Sequence, residues 1–234
     1  MQFIYPLGTG STKNDIELRY SLRSLEKHHP ESNVTIVGYK PNWLQNVRHL
    51  KAQDDNNRMS GQNTYIKMLN AMMHLDSNQH YVHMNDDFVL LKPHPEKGVN
   101  YWVYDMKRSM SEYPSGYTHI MLKATSRLLV PSAINYECHA PQSFISHRFG
   151  SILSKYQHML KYTPLAYNSL YINERKDFDR IKLPCNLKFH KAPKDWSMAT
   201  ADLPAFSYSD SSWGKPLVSY LEKLFPKKSR FEKD

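Results

Sequence analysis

The stretch HYVHMNDDFVLLKPHP, His80 to Pro95, decides how the chain is organised around its chemistry. An apolar run ends in two adjacent carboxylates, Asp86 and Asp87, and hydrophobic residues resume directly after them. Adjacent side chains on an extended segment point to opposite faces, so this acid pair cannot form one exposed charged face. We therefore expect one of the two acids to be held inward at the end of a strand.

The residues at the start of the chain alternate between strand and helix patterns. Gln2 to Leu7 is a short apolar strand that breaks into a glycine-containing loop. Leucines at helical spacing then run from a cap at Asn14 or Asp15 to Pro30, and the β-branched run Asn33 to Gly38 follows. Strand, helix and strand in alternation predict an α/β fold with a mostly parallel central sheet of Rossmann-like type.

A second helix, from about Gln62 to Leu75, leads into the acid pair. Its apolar face is most simply core, and its other face, which carries Asn63 and Lys67, is most simply solvated. In open α/β sheets, ligands gather beyond the carboxyl ends of the strands. The position of the acids therefore predicts a ligand site.

Hard divalent cations such as Mg²⁺ or Mn²⁺ prefer oxygen ligands and commonly bridge one or two carboxylates to substrate phosphates. Asp86 and Asp87 suit such a site, and a turn or cap is the alternative interpretation. His190 follows another strand-like stretch and is a candidate third ligand, although a lone histidine is usually structural.

Length and composition limit the class of protein. The chain has 234 residues with 40% hydrophobic residues, enough for one sizeable packed domain. No segment approaches the roughly 18 consecutive apolar residues of a membrane span. The N-terminus shows no secretion signal, and the two cysteines lack metal-ligand spacing, so we expect a reduced, cytoplasmic setting.

The chain carries a net charge of +9, which requires either an anionic partner or a solvated basic surface. No named nucleic-acid-binding motif is present, so contact with DNA would depend on backbone charge. Two denser basic groups supply the candidate phosphate contacts: Lys188, Lys191, Lys194, Lys227, Lys228 and Arg230.

Residues near the predicted strand ends are candidates to bind a nucleotide. Glycines let the backbone approach a ligand closely, although a plain turn explains Gly8 and Gly10 equally well. Cationic side chains stabilise a diphosphate, although surface salt bridges are an alternative role for them. The donor-binding candidates are Gly8, Thr9, Gly10, Arg19, Asn63, Lys67 and Asp86.

An enzyme that transfers a group to a hydroxyl often uses a carboxylate or a histidine to take the proton of that hydroxyl. Glu137 and His139 are the candidates, in the segment after an apolar run broken by Pro131. A capped helix start at the following QSFISHRF explains His139 and Pro141 equally well. The candidate catalytic residues are therefore Glu137, His139 and Asp86.

Four blocks resemble those of the Stealth-like capsule sugar transferases and of related small phage and bacterial glycosyltransferases. They are DIELRYSLRSLEKHHPESNVTIVGYKPNWL (15–44), NDDFVLLKP (85–93), NYECHAPQSF (135–144) and LFPKKSRFE (224–232). The blocks occur in family order and span most of the chain. The flanking regions of the large Stealth proteins are lacking, which favours simple glycosyl transfer over sugar-phosphate transfer.

The resemblance implies a GT-A glycosyltransferase that takes a nucleotide-sugar donor, with a UDP-sugar as the expected one. By that likeness, Asp87 ligates Mn²⁺ or Mg²⁺, Asp86 contacts the ribose or the sugar, and His190 completes the metal site. We expect one glycosyltransferase domain over 1–234, with a nucleotide-sugar-binding half (1–95) and an acceptor-binding half with a C-terminal helix (96–234).

Charge is the only internal guide to the acceptor. A surplus of +9 favours duplex DNA, with transfer to 5-hydroxymethylcytosine-type bases as in phage DNA modification. A capsular or other polysaccharide acceptor, or sugar-phosphate transfer, is the alternative within the same class. A nucleotide-sugar-binding protein without turnover and a non-catalytic nucleic-acid-binding protein are the alternatives outside it.

Overall fold

The computed structural model describes residues 1–8, 15–136 and 139–233. Over these residues the main sheet has seven strands in the order β3-β2-β1-β4-β7-β6-β8. The strands are β1 (Gln2–Leu7), β2 (Asn33–Gly38), β3 (Arg48–Leu50), β4 (His80–His83), β6 (Val99–Trp102), β7 (Gln142–Ile145) and β8 (Asp179–Lys182). Only β7 runs antiparallel to its neighbours, so the sheet is mostly parallel, as the sequence predicts.

A second, three-stranded sheet has the order β5-β10-β9 and joins distant parts of the chain. Its strands are β5 (Val89–Leu90), β9 (Lys188–Phe189) and β10 (Ala205–Tyr208). Because β5 follows the acid pair directly, this small sheet brings the C-terminal third of the chain against Asp86 and Asp87. Strands from the 1–95 half thus pair with strands from the 96–234 half in both sheets.

Helices cover both faces of the main sheet. They are α1 (Ile16–His28), α2 (Ser60–Met72), α3 (Met106–Glu112), α4 (Gly116–Ser126), α5 (Ser146–Tyr156), α6 (Tyr167–Glu174), α7 (Trp196–Thr200) and α8 (Lys215–Leu224). Along β1, Phe3 and Tyr5 pack into one core with residues of α1 and α8, whereas Ile4 packs into the other with residues of α2 and α5. Burial on both faces explains why the central strands are almost continuously apolar.

The first elements lie close to their predicted bounds, with two differences. Asp15 precedes α1 with a φ of 54°, and its side chain accepts no capping hydrogen bond, so it is not the predicted side-chain cap. Asn14, the other predicted cap, lies outside the described residues. The polar face of α2 is not uniformly solvated, because the Lys67 side chain is only 3% exposed. Its ammonium group donates to the backbone oxygen of Leu7 at 2.7 Å and pairs with Asp54 at 2.5 Å.

The apolar stripe predicted for the last helix faces the core, since Leu217, Leu221 and Phe225 are buried. None of the helices in the described part of the chain is long and apolar enough to cross a membrane.

Two glycines with almost the same positive φ angle give a matched test of packing. Gly98 has a φ of +78°, and a Cβ atom there would lie 2.5 Å from Cδ1 of Phe178. Gly116 has a φ of +79° with nothing within 4 Å of its Cβ position. Gly116→Ala should lower the free energy of unfolding by about 1 kcal/mol through backbone strain. Gly98→Ala should lower it by about 2 kcal/mol, because the added methyl group also overpacks the site. Chemical denaturation measures both values, and equal losses would contradict this packing.

Candidate active site

The acid pair lies beyond the carboxyl ends of the parallel strands in the middle of the main sheet. β4 ends at His83, and the next backbone amide, of Met84, donates to the oxygen of Ile4 in β1. The chain then turns, with the amide of Phe88 bonded to the oxygen of Asn85 at 3.1 Å. Asp86 and Asp87 therefore occupy the predicted position beyond the carboxyl ends of the strands. Asp87 is the more buried of the two, with 9% of the residue exposed.

Lys188 reaches the acid pair from the small sheet. Its ammonium nitrogen lies 3.0 Å from Oδ2 of Asp87. The register of the strands sets this contact: Lys188 in β9 pairs with Ser207 in β10, and the neighbouring Phe206 pairs with Val89 of β5. Lys188 and Asp87 are far apart in the sequence, and the backbone hydrogen bonds of the small sheet hold them side by side.

Negative charge is concentrated around Asp86 and Asp87. Burial raises the pKa of Asp86, and the charge of Asp87 raises it further. Burial also raises the pKa of Asp87, and the ammonium group of Lys188 opposes that rise. Asp210, on an exposed turn, adds a third carboxylate within electrostatic reach of Asp87. The site therefore favours an added positive charge.

A buried tyrosine hydroxyl accompanies these acids. Tyr208, at the end of β10, is 1% exposed, and its hydroxyl has no hydrogen-bond partner among the described residues. Burial raises its pKa, and the charges of Glu17, Asp87 and Asp86 raise it further. An unsatisfied buried hydroxyl is costly, so a polar ligand or water at this site would stabilise it.

The residues fit a hard divalent cation through their carboxylates. Two adjacent, largely buried carboxylates, Asp86 and Asp87, offer the oxygen ligands that Mg²⁺ or Mn²⁺ prefers. In the described part of the chain, no three His, Cys, Asp or Glu side chains are grouped closely enough to hold a metal ion. His190, the predicted third ligand, is exposed just after β9.

A cavity of about 370 Å³ opens beside the acid pair. Asn85 and Phe88, which flank the acids, line it together with Lys188. The rest of the wall combines aromatic rings, hydroxyls and amides: Ser60, Thr64, His83, Tyr113, Tyr117, Thr118, Met121, Asn135, Tyr136, His139, Tyr167 and Asn168. Among the described residues, this lining is rich in uncharged hydrogen-bonding groups and includes no carboxylate.

Two histidines in the cavity wall are held neutral. Burial lowers the pKa of His83 to about 4, and its Nε2 lies 3.2 Å from the Tyr167 hydroxyl. Burial, followed by the charges of Lys188 and His190, lowers the pKa of His139 to about 3. A side chain with so low a pKa holds a transferred proton weakly, so His139 suits hydrogen bonding to a substrate better than general-base catalysis. Glu137, the other candidate base, lies outside the described residues.

The donor-binding candidates lie in different environments in the structure. Gly8 directly follows β1 and lies beside Asp54, whose carboxylate would be 3.6 Å from a Cβ atom at Gly8. Lys67 approaches the same strand end from α2. Asn63 donates to the backbone oxygen of Asp55 and so fastens the loop before α2. Thr9 and Gly10 lie outside the described residues.

Arg19, the remaining donor candidate, is engaged by the C-terminal segment. Its guanidinium group bonds to Glu232 at 3.0 Å and lies 4.0 Å above the ring of Trp43. This arrangement gives Arg19 a structural role in attaching the end of the chain to α1.

The six candidate phosphate contacts do not share one environment. Lys188 is paired with Asp87, and Arg230 donates to the backbone oxygen of Ser32. Lys191 and Lys194 are exposed in the segment after β9. Lys227 and Lys228 line a separate groove together with the C-terminal half of α1. That half of the helix lies toward the amino ends of the parallel strands, away from the acid pair. Basic residues thus lie on at least two separate parts of the surface.

Comparison with known proteins identifies the fold. No protein-family model matches the sequence, and no curated protein matches it. A structure of galactosyltransferase LgtC with donor and acceptor sugar analogues matches with a TM-score of 0.57 at 11% identity, over 98% of each chain. The chain has a GT-A fold. A structure of an active-site mutant of LgtC also matches with a TM-score of 0.57, at 9% identity and over 98% of each chain.

These matched structures are glycosyltransferases, as the sequence resemblance predicts for the fold. Nothing in the comparisons points to the Stealth-like or phage DNA-modifying subtype. Sequence reasoning did not identify the tyrosines and amides of the cavity wall as candidate site residues, and it did not identify the contact of Lys188 with Asp87. Their separation along the chain leaves no local motif, and β9 is only two residues long.

Proposed function

We propose that this protein is a glycosyltransferase that moves a sugar from a nucleotide-sugar donor to a hydroxyl group of a carbohydrate acceptor. The observation that carries the proposal is the acid pair at the carboxyl ends of β1 and β4, beside a cavity of uncharged hydrogen-bonding groups. In a GT-A fold, these features support a donor diphosphate at the acids and an acceptor sugar in the cavity. A UDP-sugar is the expected donor.

In the proposed reaction, the acceptor oxygen bonds to the anomeric carbon of the donor sugar. The bond from that carbon to the diphosphate breaks, the nucleoside diphosphate leaves with the electron pair, and the acceptor hydroxyl loses its proton. Mg²⁺ or Mn²⁺, when bound, would stabilise the negative charge on the departing diphosphate. Asp87 is the proposed first ligand, with Asp86 as a second ligand or a contact to the donor ribose or sugar, and His190 as a candidate third ligand.

The residues of this chain supply the remaining functions. Lys188 carries a positive charge at the boundary between Asp87 and the cavity, where a departing diphosphate develops negative charge. The buried amides and hydroxyls of the wall can bond sugar hydroxyls, and the tyrosine rings offer apolar faces to the sugar. Glu137 stays a candidate base.

The cavity favours a carbohydrate acceptor over DNA. Two of the six candidate phosphate contacts, Lys188 and Arg230, bond within the protein, and Lys227 and Lys228 line a groove remote from the acid pair. The net charge of +9 still supports a polyanionic acceptor, so 5-hydroxymethylcytosine-containing duplex DNA is the second candidate.

A direct test offers both acceptor classes to the enzyme. Labelled sugar is supplied on the nucleotide donor together with either an oligosaccharide panel or duplex DNA with and without the hydroxymethyl group. We expect label on an oligosaccharide and none on DNA. Label that depends on the hydroxymethyl group, with transfer that falls steeply as salt rises, would replace the carbohydrate acceptor by DNA.

A substitution that fills the cavity should slow transfer of the sugar to an acceptor much more than hydrolysis of the donor. Thr118 on α4 lines the cavity, whereas Ile120 on the same helix is 46% exposed. Thr118→Trp should lower transfer to an acceptor by about tenfold or more through steric exclusion and change donor hydrolysis much less. Ile120→Trp is the matched control and should leave both rates unchanged. Equal transfer rates in the two variants would remove the cavity from the acceptor site.

A further inference from the structure

A lysine neutralises part of the negative charge of the acid pair. The ammonium nitrogen of Lys188 lies 3.0 Å from Oδ2 of Asp87, and the two side chains are only 20% and 12% exposed. The same carboxylate is the proposed ligand of the divalent cation. The contact is partly shielded from water, so it is stronger than an ordinary surface ion pair.

The position of Lys188 is set by the backbone rather than by a flexible surface loop. Lys188 pairs with Ser207 in the small sheet, and its own amide donates to Oδ1 of Asn186 at 3.0 Å. The strand is therefore fixed relative to β5 and the acids. Only the four-carbon side chain is free to change direction, which lets the ammonium group move without refolding of the site.

Charge balance at the site leaves room for exchange of one cation for another. Asp86 and Asp87 together carry two negative charges when ionised, and burial raises the pKa values of both. Lys188 compensates one of those charges. It also lines the cavity, so its ammonium group can leave Asp87 and remain beside the place proposed for the donor.

We propose that Lys188 is a built-in counter-ion that competes with the divalent cation for Asp87. This inference depends on the proposed function, because it assigns Lys188 a positioning role in that same site. Metal binds weakly while the ammonium group occupies the carboxylate and more tightly once Lys188 turns toward the diphosphate. The protein therefore keeps its acid pair ordered without metal and favours metal and donor binding together.

The test measures binding of Mn²⁺ alone to the free protein by electron paramagnetic resonance. Lys188→Met removes the competing charge and should tighten Mn²⁺ binding by about tenfold. Lys188→Arg keeps the charge and should bind Mn²⁺ as weakly as the wild type. Lys97→Met is the control. Lys97 is exposed in the turn before β6, at the end of the main sheet that lies opposite the acid pair.

Two results support the inference. Either Lys188→Met binds Mn²⁺ about tenfold more tightly than the wild type, or it binds Mn²⁺ where the wild type shows no binding. Equal Mn²⁺ affinity in the wild type and Lys188→Met, or absence of binding in both, overturns it. Circular dichroism checks the fold, and Lys188→Gln replaces Lys188→Met if the latter fails to fold. The proposed function fails separately, if the wild type neither binds nor turns over nucleotide sugars, whatever the Mn²⁺ affinities are.

Discussion

Asp87→Asn protein should fold normally and lose turnover of the nucleotide sugar by about a thousandfold. Asparagine has almost the same shape as aspartate and keeps an oxygen for Lys188, which bonds Asp87 at 3.0 Å in the wild type. It removes the negative charge that would hold a divalent cation. Release of nucleoside diphosphate measures the rate, and thermal shift with donor and Mn²⁺ measures binding.

The control for Asp87→Asn is Asp179→Asn, which removes an exposed carboxylate from the edge strand β8. This variant should keep the wild-type rate and the wild-type thermal shift. Turnover or metal-dependent stabilisation that survives in Asp87→Asn would remove Asp87 from the proposed metal site.

Glu232→Gln should cause a large loss of stability, about 3 kcal/mol in the free energy of unfolding. The Glu232 side chain has no exposed surface and accepts hydrogen bonds from Arg23 at 2.7 and 2.8 Å and from Arg19 at 3.0 Å. Its loss leaves two partly buried guanidinium groups without a counter-charge. Chemical denaturation checks this, with Glu31→Gln as an exposed control. Similar stability of the two variants would contradict a structural role for Glu232.

The same carboxylate should make stability depend on acid pH. Burial raises the pKa of Glu232, but hydrogen bonds from Arg23, the backbone of Ser229 and Arg19 outweigh burial and lower the pKa to about 2. A folded-state pKa below the unfolded value of about 4.3 means that the contribution is complete above that pH. It is lost as pH falls from about 4 to 2. Glu232→Gln should therefore lose less stability than the wild type over that interval.

The spacing of apolar residues and the acid pair were enough to predict the fold class and the end of the sheet at which the candidate site lies. Strand β1, helix α1 and strand β2 are local patterns, because each alternates or repeats over six to thirteen residues. Parallel connections then force the carboxyl ends of β1 and β4 together. The location of Asp86 and Asp87 follows from these two facts.

Contacts between distant residues could not be predicted in this way. Arg19 and Glu232 are 213 positions apart, and Lys188 and Asp87 are 101 apart. Their charges are visible in the sequence, but their partners are set by short strands and by a C-terminal segment with no periodic pattern. Lys67 was expected on a solvated face because helix spacing alone cannot report that the end of β1 covers it.

The assignment of this site to glycosyl transfer is tested most directly by incubating the wild-type protein with a panel of nucleotide sugars and Mn²⁺, without acceptor. The released nucleoside diphosphate is measured by ³¹P NMR. We expect slow hydrolysis of at least one donor, a UDP-sugar, and loss of that hydrolysis in Asp87→Asn. A panel in which no donor is hydrolysed by the wild type and none stabilises it against heat would contradict the assignment of this site to glycosyl transfer.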